Sequence, residues 1–177
     1  MTMDDLYNRV ENAIAKYEQA CQQEETLYEM MQDAERDYSR YSSQLSSAED
    51  PNARSSAEQQ MAAAQKLYIQ CQSQLQQVQN NKAQALRELQ ATRSGINDAM
   101  QSLTQKLMQI SQSIGTFEQM AALPFGGAAA SEKLTFLRGR QQEYQQNLND
   151  LGALADRIDS VLNGGGNSPQ LVLRRTR

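Results

Sequence analysis

The sequence predicts an all-α protein, built as a long antiparallel coiled coil of three helices, and two observations support this prediction. Apolar residues recur in alternating steps of three and four along most of the 177 residues, and the mean step of 3.5 is the heptad signature. Gly and Pro are scarce and lie mainly at three points of the chain. Gln, Ala, Glu and Leu fill the segments between them, which is typical of long solvated helices.

The first helix is predicted over about residues 3–48, and its apolar face is unusually wide. A third row of residues, formed by Ile14, Cys21 and Tyr28, lies beside the heptad stripe. A two-stranded seam does not need this row, so we expect helix 1 to have more than one neighbour. The three residues are therefore candidates for contact with a partner.

The second helix is predicted over about residues 55–122. The segment Asp50-Pro51-Asn52 ends helix 1, and Ser55 with Glu58 three residues later has the pattern of a capping box. We therefore expect helix 2 to begin at Ser55.

The heptad of helix 2 slips once, beside Ser94 and Gly95, where two steps of four follow each other as a stutter. If residues equidistant from each turn face each other, helices 1 and 3 both end near this point. We predict a hinge there, with two alternatives. A continuous helix 2 gives an extended rod, which we expect to dimerise to cover its apolar surface. A bent helix 2 folds the two hairpins into a four-helix bundle.

The third helix is predicted over about residues 131–163, with Ser131 and Glu132 at its N-terminus. Residues 1–163 then form a single helical domain. Residues 164–177 are predicted to be a flexible Gly-rich linker with a basic tail.

The turn between helices 2 and 3 is apolar, which is unusual for a turn at the end of two helices. It contains Leu123, Pro124 and Phe125. These residues are candidates for docking on a partner or touching a membrane. The alternative is that Phe125 folds back and closes the end of the bundle.

Two charged residues, Glu24 and Lys82, occupy positions on the apolar stripes and lie about one helical turn from facing each other. One interpretation is a buried pair that fixes the register of the helices at some cost in stability. The other is that both side chains extend to the solvent at the rim.

The composition argues against several functional classes. The chain has no His, the commonest general base, and no metal-binding motif, so we predict no enzymatic activity, cofactor or metal. Cys21 and Cys71 are interpreted as structural thiols that form no disulfide with each other. An isoelectric point near 4.9 argues against nucleic-acid binding and against attraction to anionic lipid, so we expect no nucleic acid and disfavour membrane contact.

We therefore expect a scaffold or adaptor that binds another protein and forms a homodimer. An acidic start and the absence of a long apolar run favour a cytoplasmic protein, or one exported without a cleaved signal peptide. The alternative is a helical targeting domain or small chaperone of a bacterial type VII-like secretion system. Tyr7 and Glu11 have the Tyr-x-x-x-Asp/Glu spacing of type VII substrates. The Trp-x-Gly turn of that family is absent, and only Phe125-Gly126-Gly127 is faintly similar.

Overall fold

The part of the chain that the structure describes consists of three α-helices joined by short turns. A computed structural model describes residues 3–125 and 127–164. The helices are α1 (Met3–Ser47), α2 (Pro51–Ala121) and α3 (Gly127–Gly164). The predicted all-α class is confirmed. Gly164 is the last residue of α3, and the rest of the predicted linker and tail, residues 165–177, lies outside the described residues.

The N-terminus of α2 lies one turn earlier than the sequence pattern predicts. The Oδ2 atom of Asp50 accepts a hydrogen bond from the backbone N–H of Ala53 at 3.3 Å, and its carbonyl accepts one from Arg54 at 3.0 Å. Asp50 is therefore the N-cap and Pro51 is the first helical residue, where its fixed φ is favourable and its missing N–H costs nothing. The predicted start at Ser55 is wrong, because Pro51 is compatible with the first position of a helix and Asp50 caps it.

The two possible caps of α2 can be separated by mutation. We expect Asp50→Ala to lower the free energy of unfolding by about 1 kcal/mol, because the backbone N–H of Ala53 loses its side-chain acceptor, while the carbonyl of residue 50 still accepts from Arg54. Ser55→Ala, the matched control, should change it by less than about 0.5 kcal/mol, since alanine is a good helix former in the first turns. Urea denaturation followed by circular dichroism measures both values. A larger loss for Ser55→Ala would show that Ser55, and not Asp50, caps α2.

The N-terminus of α3 is also earlier than predicted, at Gly127 instead of Ser131. Residues 128–130 are three alanines, the strongest helix formers, and Ala130 is buried. The additional turn of helix therefore has both local propensity and burial in its favour.

The predicted hinge lies inside an uninterrupted helix. α2 continues through Ser94 and Gly95, and both residues are exposed. No atom outside the local helix backbone lies within 4 Å of the position that a Cβ of Gly95 would occupy. The backbone there is helical and has room for a side chain.

We expect Gly95→Ala to raise the free energy of unfolding by about 0.5 to 1 kcal/mol, because alanine loses less conformational entropy in a helix. Gly115→Ala is the matched control, since Gly115 lies on the same helix and is equally open. Thermal and urea unfolding measure both changes. A loss of stability at Gly95 alone would show that the helix needs to bend there.

The chain divides into two compact units. Among the described residues, unit 1 contains residues 3–12 and 89–164, and unit 2 contains residues 13–88. In unit 2, α1 and α2 run antiparallel, with Lys16 paired to Glu88 at 3.1 Å and Leu27 clustered with Cys71. Much of the buried core of unit 2 is alanine, so it is narrow. Its buried apolar residues are Ala13, Ile14, Tyr17, Ala20, Leu27, Ala34, Ala57, Ala64, Cys71, Leu75 and Ala85.

Unit 1 combines three helical segments. Arg157 of α3 is paired with Glu11 of α1, and Arg93 of α2 is paired with Asp159 of α3 at 2.8 Å. The described side chains that have no exposed area lie in this layer. They are Val10, Leu89, Ile96 and Ile158. Three helices therefore close this layer completely.

Candidate functional site

A polar cluster lies in the α1–α2 seam of unit 2. Lys82 donates to the Oε2 atom of Glu24, and the Nε2 atom of Gln79 donates to Oε1 of the same carboxylate at 3.4 Å and to the Tyr28 hydroxyl at 3.1 Å. The Glu24 side chain is only 8% exposed and that of Lys82 is 23% exposed. The interpretation in which both side chains extend to the solvent at the rim is therefore wrong for Glu24. Glu24 instead forms an ion pair with Lys82. We call these two residues, together with Gln79 and Tyr28, the Glu24 cluster.

The pair forms although the two positions do not directly face each other. The flexible four-carbon stem of lysine spans the offset, and the stem itself covers apolar surface. Removing the Glu24 carboxylate from water is costly, and two donors from α2 offset that cost. A shift of one helix along the other would separate these donors from the carboxylate, so the cluster favours one register.

The pKa values of Lys82 and of the nearby Tyr17 are both raised above their usual values. Burial is the largest influence that raises the pKa of Tyr17, and the neighbouring Cys21 raises it further. Burial alone would lower the pKa of Lys82, but its hydrogen bond to Glu24 and the charge of Glu24 outweigh burial and raise the pKa. Both groups are therefore protonated at neutral pH.

These two shifts predict a loss of stability at high pH. The unfolded chain releases both protons from about pH 10 upward, while the folded chain keeps them to higher pH. The stability is thus fully present below about pH 10 and falls as the pH rises toward the folded pKa values. Urea midpoints measured from pH 8 to pH 11 should decline for the wild type. Tyr17→Phe should decline less, and an equal decline in both would contradict the contribution of Tyr17.

The third row on α1 is less exposed than the sequence suggests. Ile14 is only 2% exposed, whereas Cys21 and Tyr28 are half-buried. Ile14 is therefore not part of an open surface. Val10, Ala13, Ile14 and Tyr17 are all buried, so this part of α1 buries a wider arc than a two-stranded seam would cover.

Both cysteines are free thiols, but their surroundings differ. Cys71 is fully buried in the core, where it packs with Leu27 and Leu75, as a structural thiol does. Cys21 is only half-buried beside the Glu24 cluster.

The apolar turn between α2 and α3 is open. Leu123, Pro124 and Phe125 are all exposed, and Phe125 is 89% exposed. The alternative in which Phe125 folds back to close a bundle end is therefore wrong. The turn and the neighbouring Met120 form an exposed apolar tip at one end of the α2–α3 hairpin.

Two ion pairs of unit 1 were not found by sequence reasoning. Both the Nη2 atom of Arg157 and its Nε donate to the carboxylate of Glu11, and Arg93 donates to both oxygens of Asp159, at 2.9 and 2.8 Å. The Arg157 hydrogen bonds hold the pKa of Glu11 below its usual value, and Arg93 does the same for Asp159. The sequence does predict that helices 1 and 3 both end near Gly95. Charged residues at these ends were therefore candidates for ion pairs between the helices.

The residues of the secretion-like pattern differ in availability. The Tyr7 side chain is exposed, while the carboxylate of Glu11 is bound by Arg157. A partner that reads both side chains would have to displace this arginine.

The described residues contain no group of three or more His, Cys, Asp or Glu side chains placed to hold a metal ion. None of the three described helices has an apolar stretch that would allow it to cross a membrane. No protein-family model, curated protein or solved structure matches this chain.

Proposed function

We propose that this protein is a non-enzymatic coiled-coil scaffold or adaptor that binds another protein and forms a homodimer. One observation supports the proposal most strongly. In unit 1, the α2 residues 97–113 and the α3 residues 135–150 include no buried residue, although both stretches carry a regular apolar stripe. The stripe consists of Met100, Leu103, Leu107 and Ile110 on α2 and Leu137, Tyr144 and Leu148 on α3, all half-buried.

The same stripe is buried on both sides of this stretch. Ile96 and Ile114 are buried on α2, and Leu134 and Leu151 are buried on α3. Covering apolar area contributes about 25 cal/mol per Å², so a helix from another molecule that covered the half-buried stretch would be stabilised there. The apolar tip at Leu123 and Phe125 offers a second contact of the same kind.

Self-association is tested by light scattering during size-exclusion chromatography over a range of concentrations. The expected mass is twice the chain mass of 19.9 kDa. The variant Leu107→Gln with Leu148→Gln tests whether association involves the half-buried stripe, and Met108→Gln is the matched control, because Met108 is exposed beside it. Helicity measured by circular dichroism shows whether each variant still folds.

Binding of another protein is tested by lysine cross-linking in the source cells with identification by mass spectrometry. A link between Lys16 and Lys82, both in unit 2, is the internal control for the first hairpin. Abundant links to one other protein would support an adaptor. The proposal is overturned if the chain is monomeric at every concentration and links only within itself.

The alternative role in a type VII-like secretion system stays a prediction. The exposed side chain of Tyr7 is compatible with this role, whereas the ion pair between Glu11 and Arg157 argues against it. An export assay that compares the wild type with Tyr7→Ala would test the secretion role directly.

A further inference from the structure

The end of the α1–α2 hairpin that contains the turn has almost no buried core. Of residues 35–63, which all lie in the described part of the chain and which we call the hairpin end, one is buried, Ala57. The apolar stripe continues through this end, but Tyr38 is 42% exposed, and Leu45 and Met61 are only half-buried. Little apolar area is removed from water here, so burial contributes little to the stability of the hairpin end.

The polar contacts of the hairpin end are local to each helix. Its ion pairs, Arg36 with Asp33 and Arg40 with Asp37, both lie within α1 and are exposed. Three serine hydroxyls in the last turns of α1 donate to carbonyls of the same helix; they belong to Ser43, Ser46 and Ser47. Such bonds compete with the backbone N–H groups for the carbonyls and slightly destabilise a helix. Among the described contacts, no side-chain hydrogen bond or ion pair joins α1 to α2 within this end.

The neighbouring part of the same hairpin is held by both kinds of contact. Leu27 of α1 and Cys71 of α2 lie in one buried apolar cluster, and the Glu24 cluster adds hydrogen bonds between the two helices. Ala34 and Ala64 are the buried residues that adjoin the hairpin end on each helix. The stability of the α1–α2 hairpin therefore changes sharply near these two alanines.

The α2–α3 hairpin shows that a turn does not by itself make the adjoining helices weak. Ile114 of α2 and both Ala130 and Leu134 of α3 are buried near its turn. Arg138 of α3 is also paired with Glu118 of α2 at 2.9 Å. The helices beside this second turn thus have the buried residues and the contact between helices that the hairpin end lacks.

We propose that the hairpin end unfolds as one unit while the rest of the chain stays folded. Its two helical pieces, residues 35–47 and 51–63, are each of a length at which an isolated helix is marginal in water, about 12–15 residues. The unfolded end is a loop closed by the apolar cluster at Leu27, and the cost of closing a loop grows only slowly with its length. Unfolding therefore proceeds to that cluster and stops there. Such an element can be ordered or unfolded by a binding event without loss of the core.

The test is amide hydrogen exchange of the full-length protein, followed by mass spectrometry and corrected for the intrinsic exchange rate of each sequence. We expect the amides of the hairpin end to share one level of protection, at least about 100-fold below that of residues 64–88. The measurement is repeated in urea at concentrations below the unfolding transition. Protection of the hairpin end should fall with urea along one shared slope that is smaller than the slope of global unfolding, because fewer residues are exposed.

A stabilising variant tests whether the helices of this end decide its opening. Ser43→Ala with Ser46→Ala and Ser47→Ala should raise protection across the whole hairpin end by about tenfold, since alanine is the better helix former at each position. Protection in the rest of unit 2 should not change. Ser113→Ala with Thr116→Ala is the matched control on α2, because these hydroxyls make the same bonds to carbonyls of their own helix. The control should leave protection of the hairpin end unchanged.

Two results would overturn the inference. Equal protection in the hairpin end and in residues 64–88 means that the hairpin unfolds only as a whole. Protection that rises gradually from the turn toward Ala34 and does not depend on urea means that residues fray one by one and not as a unit. Either result leaves the proposed adaptor function standing, because that function is tested by the mass of the protein in solution and by cross-links to other proteins.

Discussion

Replacing Ile96 with alanine is expected to lower the free energy of unfolding by about 3 to 4 kcal/mol. Ile96 has no exposed surface, and it lies in the layer of unit 1 to which α1, α2 and α3 all contribute. The substitution removes three buried carbon atoms and leaves a cavity in unit 1, where Val10, Leu89 and Ile158 also have no exposed surface. Urea denaturation monitored by circular dichroism gives the change.

The matched control for this prediction is Ile110→Ala. It is the same substitution on the same helix and in the same unit, but Ile110 is only half-buried. We expect a loss of about 1 to 2 kcal/mol, because less apolar area returns to water and the site is already open. Equal losses at both positions would mean that residue 110 is covered in solution, and a dimer would then be the first explanation to test.

The second large effect is expected for Lys82→Met, at about 2 to 3 kcal/mol. The variant keeps the length and packing of the side chain but leaves the Glu24 carboxylate buried with Gln79 as its remaining cross-helix donor. The Lys82 side chain is partly exposed, so water can relieve some of the cost, and the expected loss lies below that of a fully buried pair. Thermal and urea unfolding at pH 7 measure it.

Two further variants show whether the loss comes from the buried charge. Lys16→Met removes the exposed pair with Glu88 and should cost less than about 0.5 kcal/mol. Glu24→Leu combined with Lys82→Met removes both charges and should recover most of the stability, since apolar residues replace buried ion pairs well. If the double variant is no more stable than Lys82→Met, lost packing and not the unpaired carboxylate explains the effect.

The sequence predicts the helices well because the heptad is a long-range repeat that many residues support. It predicts the helix starts less well, because one or two residues decide each of them. Pro51 has opposite meanings inside a helix and at its first position, and only the Asp50 cap distinguishes the two.

The candidate residues were predictable to different degrees. The heptad position of Glu24 and Lys82 shows that both lie on the stripes, but the choice between a buried pair and two extended side chains depends on side-chain conformation and on Gln79. The burial of Ile14 could not be derived from the width of the α1 face. A wide apolar face indicates additional cover but not which of its residues receive it.

The interaction between α1 and α3 has a consequence for how the chain is made. Glu11 and Arg157 are separated by 146 residues, the longest separation among the described side-chain hydrogen bonds. At a ribosomal rate of about 5 to 20 residues per second, Arg157 is added about 7 to 30 s after Glu11. The α1–α2 hairpin of unit 2 can fold during that interval, while the acidic segment at residues 3–12 still lacks α3. On the nascent chain, residues 3–12 are therefore translated early, but they gain the contact between Glu11 and Arg157 only late.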